Sequence, residues 1–324
     1  VDREVGLVMP KLTLLVISLA LPLAGAEKAP TKVIFFPDWF ASAQFAGVYV
    51  AIDQGYYAEE GLEVELRGFA YGEDATTNLS TDPDTCTLGT IEGYILLQQL
   101  DRGDDLVAFR PMLRESPAGV MSFARTQIES AADFAGRPVG VHAYADKLFA
   151  WFAANAGVRP NETQFVRVED DVADLISGTV EAMQGYATEE YVEFSARVAP
   201  EPTRFLSFTA MGFPSYSEIL YTTREQHRRH HEALGKFIAA TRRGWEQVYR
   251  DQAAAVTATM DRLPNEADAE HTAAAIRALE TYVIDDASEA LSPMDVERWR
   301  TITAVAREMT LITGEIPAPE TWLR

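Results

Sequence analysis

The stretch from Lys32 to Leu66, KVIFFPDWFASAQFAGVYVAIDQGYYAEEGLEVEL, constrains the fold more than any other part of the chain, because its apolar residues change period twice. Val33 to Phe36 is a short unbroken apolar run, as in a buried strand, and Pro37 with Asp38 breaks it before Ser42 offers a helix N-cap. Phe45, Val48, Tyr49 and Ile52 then recur at i, i+3, i+4 and i+7, one face of a helix that ends at Gly55. Beyond Gly61 the period falls to two, with Leu62, Val64 and Leu66 inward and Glu63, Glu65 and Arg67 outward. Strand, helix and strand in this order make a βαβ unit. An open α/β sheet binds ligands beyond the carboxyl ends of its strands, where helix N-termini leave N–H groups unpaired. Asp38, Trp39, Phe40, Ser42 and Gln44 stand at that position.

The alternation continues. Thr85 to Gly89 reads as a strand, and Thr90 is placed at its end to cap a helix carrying Ile91, Ile95 and Leu100. Strands are expected at Leu106 to Leu113 and Gly119 to Ala124, then a helical turn from Ser130 to Gly136, a strand at Val139 to Val141 and a helix from near Asp146. Gln164 to Val168 and Glu181 to Gly185 are two more strands, and Thr188 is placed to cap the helix after the second. Phe205 to Phe208 and Glu218 to Thr222 return the chain, and from Glu225 the pattern is helical to the end. The whole predicts an α/β protein of two doubly wound lobes joined by two crossings with a helical C-terminal tail. Lobe 1 comprises residues 31–121 and 216–324, and lobe 2 residues 122–215. Two such lobes close on a ligand by hinge rotation.

Residues 1–26 read as a secretory signal peptide, with Lys11 before the apolar run Leu12 to Leu23 and the small residues Ala24-Gly25-Ala26 after it. Met9 reads as a better start than Val1, with Val1 to Val8 expected to be an upstream extension of the reading frame. No cysteine follows the cleavage site, so an exported, soluble periplasmic protein is expected rather than a lipoprotein. Cys86 is the single cysteine, so no internal disulfide forms. A net charge of −21 argues strongly against nucleic acid and anionic membrane surfaces as partners.

The run DWF, then four residues, then AGVYVAIDQGYYAEEGLEVEL resembles the opening signature of the NMT1/THI5-like group of periplasmic solute-binding proteins. The matching residues are Asp38, Trp39, Phe40, Ala46, Gly47, Tyr49, Val50, Ala51, Gly55, Tyr56, Gly61, Leu62 and Val64. Two departures stand beside them: Ala41-Ser42 replaces the group's Pro-Asn, and Phe45 replaces its His. With no catalytic set in the sequence, no enzymatic activity and no cofactor are expected, and the resemblance implies a type II-like periplasmic-binding-protein fold. It further implies a monomer that hands a small heteroaromatic ligand to an ABC permease of the inner membrane. Thiamine pyrimidine precursors are the first ligand class implied, with riboflavin, sulfonate or nitrate as alternatives.

No catalytic constellation stands out: there is no G-x-S-x-G and no glycine-rich phosphate loop. His227 and His231 are spaced as metal ligands, but the arginines of EQHRRHHE repel a cation, so a solvated helix face explains them better and no metal is expected. Aromatic residues at three strand-to-helix turns, Trp39 with Phe40, Tyr144 and Tyr186, suit a flat apolar ring, although each alone also serves to pack a loop. His142, at the end of a buried strand, is either a cleft contact or a satisfied structural histidine. The segment GYATEEYVEF resembles the group's G-Y-x-x-N-E-P-x-x-L, whose glutamate contacts the ligand, and Glu190 occupies that position. A carboxylate there can accept paired hydrogen bonds from an aminopyrimidine, with Asp38 doing the same from the opposite lobe. The expected ligand-binding set is therefore Asp38, Trp39, Phe40, Ser42, Gln44, Phe45, Thr90, His142, Tyr144, Tyr186 and Glu190. Two other classes stay open. A sensor reporting to a membrane kinase has the same pattern, whereas a pyrimidine synthase of the yeast type carries a cysteine-rich motif that one cysteine cannot supply.

Overall fold

The computed structural model describes residues 29–69, 76, 79, 82, 84–142, 145–169, 172–264, 267–283, 291 and 293–324. The signal-peptide reading at residues 1–26 and the binding role of Tyr144 lie outside them. Two five-stranded sheets organise these residues. The first contains β1 (Thr31–Phe36), β2 (Leu62–Leu66), β3 (Cys86–Gly89), β4 (Leu106–Leu113) and β10 (Ser217–Thr223), in the order β2-β1-β3-β10-β4. The second contains β5 (Ala118–Phe123), β6 (Pro138–Val141), β7 (Gln164–Arg167), β8 (Ala182–Tyr186) and β9 (Thr203–Ser207), in the order β7-β6-β8-β5-β9.

The two orders follow one pattern. In the first sheet β1 lies parallel to β2 on one side and to β3 on the other, while β10 runs antiparallel between β3 and β4. In the second, β6 lies parallel to β7 and β8, while β5 runs antiparallel between β8 and β9. Each sheet therefore has a switch point where connections leave its first parallel strand in opposite directions, which opens a crevice beyond the carboxyl ends. The antiparallel strand begins at that same edge, so its first residues also face the crevice. The chain crosses between the sheets at residues 114–117 rather than near Met121, because Ala118 is already paired with Tyr186. It returns through residues 208–216.

The helical tail closes the first lobe. The helix Arg224–Arg250 packs on Ala46–Asp53, and the two backbones touch at glycines. A Cβ on Gly244 would sit 1.9 Å from the Gly47 carbonyl oxygen, and one on Gly47 would sit 2.4 Å from the Trp245 ring. The fully buried Trp245 fills the space that this approach leaves beside Gly47. Phe35, Phe45, Tyr57 and Phe237 continue the same core, with Phe35 and Phe45 meeting edge to face. A second core runs from Ile91 and Ile219 of the first lobe through Tyr216 and Phe213 to Phe149 and Phe152 of the second. Trp299 and Trp322 pack edge to face beneath it, which ties the C-terminus to both lobes. Among the described residues no helix is long and apolar enough to cross a membrane.

Two expected caps are corrected. The helix Gly93–Asp101 is preceded by Glu92 as its N-cap, not by Thr90, whose hydroxyl is held by Asp38. The helix Glu190–Val198 is preceded by Glu189, while Thr188 is fully buried and its side chain makes no capping bond.

Candidate functional site

Asp38 follows β1 and Thr90 follows β3, so the switch point of the first sheet places them side by side. The Asp38 backbone N–H donates to Thr90 Oγ1 at 2.9 Å, and the Thr90 hydroxyl donates to Asp38 Oδ1 at 2.6 Å. This reciprocal pair fixes the carboxylate at the crevice edge. Glu92 enters two residues beyond Thr90, and Glu218 enters at the start of antiparallel β10. The carboxyl groups of Asp38, Glu92 and Glu218 each bring an oxygen within 4.8 Å of the other two.

Three carboxyl groups at that spacing cannot all ionise at low cost. At an effective dielectric of about 20, each charged pair at such a distance costs roughly 3–4 kcal/mol. Burial first, and then the charge of Asp38, pushes Glu92 up to about 8; hydroxyl donors offset part of the shift. Those donors are Ser217 Oγ and, from the opposite lobe, Tyr186 Oη at 3.1 Å, both to Glu92 Oε1. Burial, with Asp38 and then Glu92 adding to it, holds Glu218 well above the usual carboxyl range. Glu218 is 2% exposed, and its Oε2 has no hydrogen-bond partner among the described residues. No arginine or lysine pairs with any of the three among the described residues.

The backbone at Glu218 is unusual too. Its φ of +51° lies in the left-handed region, which costs a non-glycine residue about 1 kcal/mol or more. Ile219 next to it is locked in register, its N–H donating to Ile91 O and its carbonyl accepting from Ile91 N. The strand thus twists at one residue to turn an acidic side chain into the crevice. That side chain is a tyrosine's neighbour as well: Tyr49, whose hydroxyl burial pushes up to about 12, feels the charge of Glu218.

The structure brings Asp38, Thr90 and Tyr186 together in this cluster. Trp39 and Phe40 meet edge to face at 5.7 Å, and Phe69 closes on both at 5.6 and 5.2 Å. Phe40 is the exposed member, at 44%. Ser42 accepts from the Gln44 N–H and starts the turn Ala43–Phe45. Gln44 is buried, and Phe45 is packed in the lobe core against Phe35 and Tyr49. In the second lobe His142 is buried, its backbone N–H donating to Gln184 Oε1. Glu190 folds back on its own turn, where Oε2 accepts the Tyr186 N–H at 2.7 Å. It thereby orients the residue that reaches across to Glu92. Sequence reasoning missed Glu92 and Glu218. The signal was an acidic residue set among apolar neighbours at a strand end, Glu92 after Ile91 and Glu218 before Ile219-Leu220.

Comparison with known proteins agrees with this architecture. The chain is 27% identical over 234 residues to a formylaminopyrimidine-binding protein of Halalkalibacterium halodurans, covering 69% of this chain and 68% of that one. It is 22% identical over 224 residues to a 4-amino-5-hydroxymethyl-2-methylpyrimidine phosphate synthase of Legionella pneumophila, covering 66% and 68%. Among solved structures, the periplasmic aliphatic sulphonate-binding protein SsuA of Escherichia coli superposes with a TM-score of 0.66 at 13% identity, over 90% of this chain and 97% of that one. That likeness shows the periplasmic-binding-protein fold. With residues 42–255 matching the model described as NMT1/THI5 like, the chain belongs to the NMT1/THI5-like family.

Proposed function

We propose that the protein is an exported receptor that captures a small heteroaromatic nutrient between its lobes, a thiamine pyrimidine precursor first, and delivers it to an ABC permease. The observation that carries this reading is the convergence of Asp38, Glu92 and Glu218 at the crevice edge, with Tyr186 arriving from the other lobe. Carboxyl groups accept the N–H donors of an aminopyrimidine in pairs, and Trp39 with Phe40 supplies ring surface at the adjoining turn. A sulfonate or nitrate would meet like charge at this cluster with no basic partner to offset it. Support also comes from the pyrimidine-binding relative.

A synthase activity has less behind it. Cys86 is the one cysteine, and it is buried within β3. Thermal shift with a panel of 4-amino-5-hydroxymethyl-2-methylpyrimidine, its formylamino analogue, riboflavin and an alkanesulfonate tests the proposal. A ligand at about one hundred times its Kd adds roughly 2.7 kcal/mol to stability. A clear rise in Tm with the pyrimidines is expected; no shift with any compound at millimolar concentration refutes the receptor reading.

A further inference from the structure

We infer that the cluster of Asp38, Glu92 and Glu218 recognises a cationic nitrogen base, an aromatic amidinium or protonated aminopyrimidine, and discriminates against neutral and anionic rings of the same shape. This rests on the receptor reading above and narrows its ligand class. Three observations carry it. The three carboxyl groups lie within 4.8 Å of one another with no arginine or lysine pairing them among the described residues. Glu218 is 2% exposed and hydrogen-bonds through its carboxyl group to Asp38 and Thr90, while its Oε2 has no hydrogen-bond partner among the described residues, which leaves one buried oxygen to be satisfied by a donor from outside the protein. Finally, Glu92 is held by neutral donors, the hydroxyls of Ser217 and Tyr186 and the backbone N–H of Glu218, which orient the carboxyl group without neutralising it.

A flat cation with two N–H groups on one edge meets both needs, since it supplies the missing donor and the missing positive charge. The groups that face the cluster are Thr90 from the β3 turn, Tyr49 from the helix Ala46–Asp53, Ser217 from β10 and Tyr186 from β8. None of them is cationic. Burial first, and then the charge of Asp38, raises both Glu92, to about 8, and Glu218 above the usual carboxyl range, so both favour their protonated forms. Seating a permanent cation among them therefore ionises a carboxylic acid, and its proton passes to the buffer.

Isothermal titration calorimetry at pH 7, in phosphate and in Tris, tests the inference with benzamidine, benzamide and benzoate as matched cationic, neutral and anionic rings, alongside 4-amino-5-hydroxymethyl-2-methylpyrimidine. Benzamidine is expected to bind at least about tenfold more tightly than benzamide, with an enthalpy that differs between the buffers by the release of about one proton, and benzoate is expected not to bind. Glu218→Gln should weaken benzamidine on the order of tenfold and lower the proton release; if that variant does not fold by circular dichroism, Glu92→Gln provides the same reading. If the pyrimidine binds, but benzamidine does not or Glu218→Gln leaves it unchanged, the receptor reading stands and this inference falls. Binding of calcium or manganese that Glu218→Gln abolishes, with no benzamidine binding, makes the cluster a metal site and also overturns it. If nothing binds, both readings fall.

Discussion

The glycine contact between the helices Ala46–Asp53 and Arg224–Arg250 makes a prediction that runs against helix propensity. Alanine in place of a mid-helix glycine normally stabilises by about 1 kcal/mol. At Gly244 the added Cβ would meet the Gly47 carbonyl oxygen at 1.9 Å and the Ala51 Cβ at 2.9 Å. A carbon and a carbonyl oxygen approach to about 3.3–3.6 Å, so the helices must part by roughly 1.5 Å. The obstructing atom is backbone and has no rotamer to escape into. Overpacking of this kind costs about 1–3 kcal/mol as a rule, and a gap of about 0.5–1 Å forfeits a quarter to a half of each dispersion contact. Those contacts belong to Trp245, Val48 and Ala51, all buried, so the net loss for Gly244→Ala should be about 2–4 kcal/mol after the propensity gain. Gly235 provides the internal control. It lies on the same helix, is exposed, and has open space for 4 Å around the position an added methyl would take, so Gly235→Ala should gain about 0.5–1 kcal/mol. Urea unfolding followed by far-ultraviolet circular dichroism measures both. A Gly244→Ala protein as stable as Gly235→Ala would refute the close-contact reasoning.

Three further outcomes follow from the site and core. Glu92 keeps its proton up to about pH 8 in the folded protein but loses it near 4.5 in the unfolded chain, so its contribution to stability falls as pH rises through that window. Glu92→Gln, neutral throughout, should shrink the loss of Tm between about pH 5 and pH 8, and an equal or larger loss refutes the assignment. Trp39→Ala should weaken the ring ligand by about 1 kcal/mol, roughly fivefold in Kd by calorimetry, and an unchanged Kd removes Trp39 from the site. Cys86 is fully buried and burial pushes its thiol up to about 12, so an aromatic disulfide reagent should modify it only as fast as the protein unfolds. Rapid modification of the native protein would show that β3 is accessible.

What the sequence made legible was local. The change of period between Val33 and Leu66 gave β1, the helix after it and β2, and it put Asp38 just past the end of a strand. Pairing across the chain was not legible in the same way. Thr90 and Thr188 carry the residue type of a cap, but tertiary contacts overrode it, since Asp38 claims the Thr90 hydroxyl and Thr188 is buried. Phe45 fits the helical face that predicts a buried position and was also a site candidate by resemblance; the core holds it. Glu218 was hidden because alternation along β10 says nothing of a residue whose backbone leaves the extended region, and Glu92 because its neighbours arrive from residues 217 and 186.

The antiparallel strand β10 divides the two lobes unequally as units of assembly. Every strand of the second sheet lies on one uninterrupted piece of chain, from Ala118 to Ser207, whereas the first sheet keeps an opening between β3 and β4 until residues 217–223 arrive to fill it. An excised segment spanning the second sheet carries all its own strand partners, but an amino-terminal fragment ending before Ser217 has a gap between β3 and β4 and two of the three acidic residues. Ligand capture is thus a property that arises late in synthesis, after the chain has left one half of the molecule, built the other and come back.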